Sequence, residues 1–152
     1  MFALFESLFV EWKVFLYILY MKLFTIILLS TFTISLQAQS IYGKWNTGRG
    51  GIIEIYECGS LLCGKLVNSN EPNRLDSNNP DPSKRNDKLL GTNILRSFEK
   101  SSNTKWVDGK IYNPNNGKSY SAKLILVGDV LKVRGFKGFS LFGKTVKWSR
   151  VQ

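Results

Sequence analysis

From Ile41 onward, apolar and polar residues alternate in short runs. In Ile52–Glu57 the apolar Ile53 and Ile55 fall on one face, and in Leu62–Val67 Leu62 and Leu66 fall on one face. Runs of this period, rich in β-branched and aromatic residues and bounded by Gly, Asn, Asp and Pro, specify half-buried strands. Eight are predicted: Ile41–Trp45, Ile52–Glu57, Leu62–Val67, Thr92–Phe98, Trp106–Tyr112, Ser119–Leu126, Val130–Lys137 and Thr145–Arg150. No helix-period segment of useful length follows residue 40.

Asn116-Gly117 is a strong hairpin signal, because both residues tolerate positive φ. Val127–Asp129 marks a second tight turn. Short strands joined in order imply an antiparallel meander, and closing it removes exposed edges. The expected fold is all-β: an antiparallel, up-and-down, eight-stranded β-barrel. Strict up-and-down order alternates the loops between two ends. Asn46–Gly51, Asn68–Lys88, Asn113–Gly117 and Gly138–Gly143 then share one end. The Asn-, Asp-, Pro- and Ser-rich loop Asn68–Lys88 breaks the strand pattern, and loops this long are usually functional or disordered.

The pattern differs before the barrel. Met21-Lys22, the apolar run Leu23–Leu29 and the small residue Ala38 have the order of a secretory signal peptide. Cleavage after Ala38 leaves residues 39–152 as a single mature domain, exported to the periplasm or secreted. Residues 1–20 do not fit that signal and read as an extension upstream of a true start at Met21. The competing reading is a membrane anchor over about Val14–Leu36, since ~20 apolar residues span a bilayer. It would leave Lys22 near mid-membrane at a high cost. No stable span is therefore expected after processing.

Composition narrows the chemistry. The chain holds 21 basic and 11 acidic residues, a net charge of +10, and removal of residues 1–38 leaves that charge unchanged. The basic residues are scattered, which favours general solubility over a specific nucleic-acid site. The basic charge suits an anionic envelope component as a partner. The absence of histidine excludes Ser-His and Cys-His catalysis and His-ligated zinc. Cys58 and Cys63 are the two cysteines, and in an oxidising compartment they are expected to pair. Strand phase turns both outward and leaves Gly59–Leu62 as a four-residue hairpin loop. The pair is then directly opposed, at a separation that suits a disulfide staple.

Several motifs together resemble a bacterial family, the domain of unknown function 2147. They are Ile55-Tyr56-Glu57-Cys58-Gly59-Ser60-Leu61-Leu62-Cys63-Gly64-Lys65-Leu66-Val67, Asn78-Asn79-Pro80-Asp81-Pro82, Leu89-Leu90-Gly91, Val133-Arg134-Gly135-Phe136 and Ser140-Leu141-Phe142-Gly143. The resemblance implies a small exported protein with a lipocalin-like barrel, and brings no catalytic residue or cofactor. Gly43-Lys44-Trp45 is also similar to the Gly-x-Trp signature of lipocalins. That likeness implies that Arg150, on the last strand, packs over Trp45 and closes one barrel end. Arg stacking on an indole is favourable.

A small apolar or amphipathic ligand is the expected partner. The residues placed to contact it are Trp106, Tyr120, Phe136, Phe139, Leu141 and Phe142. Trp45 and Trp148 are expected in the core. Phe139, Leu141 and Phe142 are expected to fold inward as a plug, because small barrels are often filled by their own side chains. The alternative is a mouth where they meet a hydrophobic ligand or a membrane. Asp76, Asn78, Asp81 and Asp87 offer oxygen atoms but lack EF-hand spacing, so Asx-type turn capping is expected and no metal site. Glu54 and Glu57 are three apart on a strand and face opposite sides, which argues against a catalytic pair. If the barrel is filled, the second reading is an interaction module that holds an anionic polymer or partner protein on its basic surface.

Overall fold

The computed structural model describes residues 12–22 and 39–151. Residues 12–22 are helical and exposed. No helix among the described residues is long and apolar enough to cross a membrane. Apart from Met21 and Lys22, the expected signal peptide and its cleavage site lie outside the described residues.

Eight strands close an antiparallel barrel in sequence order, with β8 returning to β1. They are β1 (Gly43–Asn46), β2 (Gly51–Cys58), β3 (Leu61–Ser69), β4 (Asn93–Ser102), β5 (Lys105–Asn113), β6 (Lys118–Val127), β7 (Val130–Phe136) and β8 (Gly143–Arg150). The period-two pattern is the cause. Ile53 and Ile55 are buried, while Glu54 faces outward and its carboxylate meets the Lys65 ammonium at 3.1 Å. One half of the barrel is filled by Trp45, Leu95, Phe98, Leu124 and Leu131, each no more than 1% exposed.

Three local expectations are corrected. The first strand begins at Gly43, not Ile41. Ile41 is instead buried beside it, and its carbonyl accepts a 2.8 Å hydrogen bond from Trp45 Nε1. Asn116-Gly117 is not a two-residue turn. Asn116 N donates to Asn113 O at 3.2 Å, and only Gly117 takes a positive φ, +67°. The loop therefore spans four residues, built around a type I turn.

The cysteine hairpin is tighter than its spacing implied. Cys58 opposes Leu61 and Cys63 opposes Tyr56, so the turn is Gly59-Ser60. Gly59, at φ +68°, occupies the first central position, where a type II′ turn needs glycine. The Cys58–Cys63 disulfide forms across the diagonal, with Cα atoms 5.8 Å apart. Replacing both cysteines by Ser should destabilise the fold by about 2 kcal/mol, because so short a loop removes little chain entropy. Urea unfolding of the oxidised protein and the double variant measures this.

Candidate functional site

The long β3–β4 loop is ordered by its own backbone. Leu75 and Lys88 form an antiparallel bridge, Leu89 N donates to Arg74 O and Asp76 N to Asp87 O, both at 2.9 Å. Asp81 caps a 3-10 turn at Pro82–Lys84 by accepting from Ser83 N at 3.0 Å. The two donors from Ser83 hold the Asp81 carboxyl below its usual range. Asp76 is 2% exposed and is the loop's anchor. Its Oδ1 accepts from the Tyr112 hydroxyl and its Oδ2 from Asn79 Nδ2, each at 2.6 Å. Burial first, then the hydrogen bond and charge of Asp76, push the Tyr112 hydroxyl up to about 12. Asp76, Asn78 and Asp81 thus spend their side chains on fastening the loop.

Further contacts join this loop to the β5–β6 turn. Arg74 Nη2 donates to Asn115 Oδ1 at 2.7 Å, and Asn78 Nδ2 reaches the carbonyls of Pro114 and Asn115 at 3.1 and 3.2 Å. A Cβ on Gly117 would lie 1.8 Å from Asn78 O, so only glycine admits this approach.

The other half of the barrel, beneath these loops, is hollow. A cavity of about 560 Å³ opens at this end. That lies within the ~300–1,000 Å³ of small-molecule sites. Its walls carry Ile53, Leu66, Ile94, Ile111, Val133 and Val146, with Trp148 and Tyr112 completing them. Leu89 reaches in from the long loop. The charged residues of the lining are Arg49, Arg74, Lys137 and Lys144, with no Asp or Glu among them. Of these only Arg74 has an ion pair among the described residues, a 3.8 Å contact with the exposed Glu71.

The residues singled out in the sequence fall at the cavity, in the core and on the exposed loop, and two of them serve in two places. Tyr120, Phe136 and Phe142 line the cavity. Trp106 does not; it is 5% exposed within the core cluster. Phe139, Leu141 and Phe142 do not plug the barrel, being 79%, 83% and 81% exposed. They stand on a 3-10 turn at Ser140–Phe142 between β7 and β8, with Phe142 at the cavity edge. Trp148 belongs both to the core and to the cavity wall. Sequence reasoning missed the aliphatic walls, although strand phase already placed Ile53 and Leu66 on one side. It also missed the rim cations, although Arg49, Lys137 and Lys144 flank loops assigned to this end.

At the opposite end Arg150 lies over the Trp45 indole, 4.4 Å from the ring centre. Its Nη1 donates to Tyr42 O at 3.1 Å and its Nη2 to Ser40 O. Its Nε approaches Asp129 Oδ1 at 3.3 Å, and Gln39 Nε2 donates to the same oxygen at 2.7 Å. One guanidinium thereby joins residues 39–42, the β6–β7 turn and β8.

Among solved structures the chain is similar to HP1028 from the human pathogen Helicobacter pylori, which is described as belonging to the lipocalin family. The TM-score is 0.69 at 21% identity, over 74% of this chain and 84% of that one. The closed barrel is therefore lipocalin-like in fold. No curated protein matches the chain. A family of uncharacterized proteins conserved in bacteria matches residues 43–150, which run from the first residue of β1 to the last of β8, and the chain belongs to that family, DUF2147.

Proposed function

We propose that this protein is an exported, non-enzymatic binder of a small amphipathic molecule, with an apolar body and an anionic end. The observation that carries the reading is the composition of the cavity. Aliphatic and aromatic side chains form its walls, and every charged residue of its lining is a cation. An apolar chain entering the barrel removes hydrocarbon from water. A carboxylate or phosphate at the other end meets Arg49, Lys137 and Lys144 at the rim, where fields of one sign are focused. The Cys58–Cys63 disulfide supports export, because such bonds persist in oxidising compartments. An interaction module that acts only through its basic surface has no need of a hollow barrel.

The test is displacement of a fluorescent fatty-acid probe by decanoate and by decanol. Decanoate should compete better, by about five-fold, the equivalent of ~1 kcal/mol from exposed ion pairs. That margin should shrink in high salt and in a Lys137→Ser, Lys144→Ser variant. Val146→Phe, which narrows the cavity from its wall, should weaken probe binding while leaving the fold intact. Probe binding unchanged by Val146→Phe would place the ligand elsewhere.

A further inference from the structure

We propose that the β7–β8 loop is a docking surface for an anionic lipid membrane, which it grips with Phe139 and Leu141. Within residues 39–151 the other large exposed apolar residues are at most 50% exposed, whereas Phe139, Leu141 and Phe142 lie between 79% and 83%. Exposure on this scale has a cost in water, and contiguous apolar patches mark interaction sites.

The loop is held in that posture. Arg134 Nε donates to Ser140 O at 2.8 Å and Nη2 to Leu141 O at 3.1 Å, while Nη1 reaches Thr145 Oγ1 at 2.9 Å. Phe142 N closes the turn on Phe139 O at 3.1 Å. The guanidinium fixes the backbone and leaves the apolar side chains outside. Such preorganisation lowers the entropy lost on binding.

Charge identifies the occupant. From Val130 to Ser149, the stretch that carries the loop, there are five cations, Lys132, Arg134, Lys137, Lys144 and Lys147, and no Asp or Glu; Arg150 belongs to the opposite end. Lys137 and Lys144 bracket the apolar tip. A second copy of a chain with net charge +10 would be repelled. A soluble anionic polymer would satisfy the lysines but offer no apolar phase to the phenylalanine and leucine. An anionic bilayer supplies both, and peripheral binding combines these two forces. Because the loop shares its end with the cavity opening, docking would turn the mouth toward the lipid. The proposal does not require the cavity to be occupied.

The experiment is co-sedimentation of protein, expressed with its own N-terminal segment, with vesicles of phosphatidylglycerol and phosphatidylcholine mixed, and with pure phosphatidylcholine. The protein should partition onto the mixed vesicles and about tenfold less onto the neutral ones. Phe139→Ser with Leu141→Ser should reduce partition onto the mixed vesicles about tenfold. Neither residue lines the cavity, so the internal probe should still bind the double variant, and thermal unfolding should be unchanged. Equal sedimentation of variant and parent would overturn the proposal, as would failure of the parent to bind either vesicle. Self-association abolished by the double variant would also overturn it, by assigning the patch to a second copy.

Discussion

Arg150→Ala should lower the stability of the barrel by about 3 kcal/mol, or roughly 10 °C in thermal unfolding. The Arg150 side chain is 24% exposed and its contacts are of unequal worth. Asp129 is 74% exposed, so that ion pair contributes ~1 kcal/mol at most. The stack on Trp45 adds roughly 0.5–1 kcal/mol. The hydrogen bonds to Ser40 O and Tyr42 O are charge-assisted, a class worth ~1.5–3 kcal/mol each before losses shared between neighbours. Removing the guanidinium also frees residues 39–42 and uncovers an indole that is fully buried. Arg150→Lys should recover little, because an ammonium cannot serve two carbonyls and a ring face in one plane. Chemical unfolding of the three proteins measures the series. A loss under about 1 kcal/mol for Arg150→Ala would show that Trp45 stays covered without it.

Asp76→Ala should cost a similar amount, by a different route. The Tyr112 hydroxyl is buried and donates to Asp76, so alanine leaves a donor without an acceptor, a penalty of ~1–3 kcal/mol. The same change frees Asn79 and loosens the loop that carries Arg74 and Leu89 to the cavity. Asp76→Asn, which keeps a carbonyl oxygen, should be milder. Tyr112 supplies a pH signature. Its folded pKa, about 12, lies above the ordinary value of 10, so the neutral phenol is favoured by folding. The stability this contributes is complete below pH 10 and is lost as pH rises through about 12. Tyr112→Phe should flatten that part of the alkaline unfolding profile. A parent profile identical to that of Tyr112→Phe between those values would contradict the anchor.

Most of the barrel was legible because its cause is local. Alternation alone separates Ile53 and Ile55 from Glu54, and eight such runs in order leave few topologies. What the sequence obscured depends on partners distant along the chain. Ile41 has the composition of a strand residue, yet it is drawn out of the sheet to lie against Trp45. Phe139, Leu141 and Phe142 have the composition of a core plug. They stand outside because Arg134, five residues upstream of Phe139, captures the carbonyls of Ser140 and Leu141. The long loop breaks the strand pattern visibly, but its attachment to the barrel rests on contacts such as Asp76 with Tyr112, across 36 positions, which no local pattern encodes. Trp106 illustrates the limit of residue type: its aromatic ring suits a ligand contact, but its level in the barrel puts it in the filled half.

The proposed function makes the mouth half of the barrel a receptacle for an acidic amphiphile. Methyl-resolved NMR of the protein titrated with decanoate tests it most directly. Saturable shifts of the Ile53, Leu66, Ile111, Val133 and Val146 methyls are expected, with those of Leu124 and Leu131 in the filled half nearly still. Cavity methyls that do not move at any decanoate concentration, or shifts confined to Leu141 and other exposed groups, would contradict it.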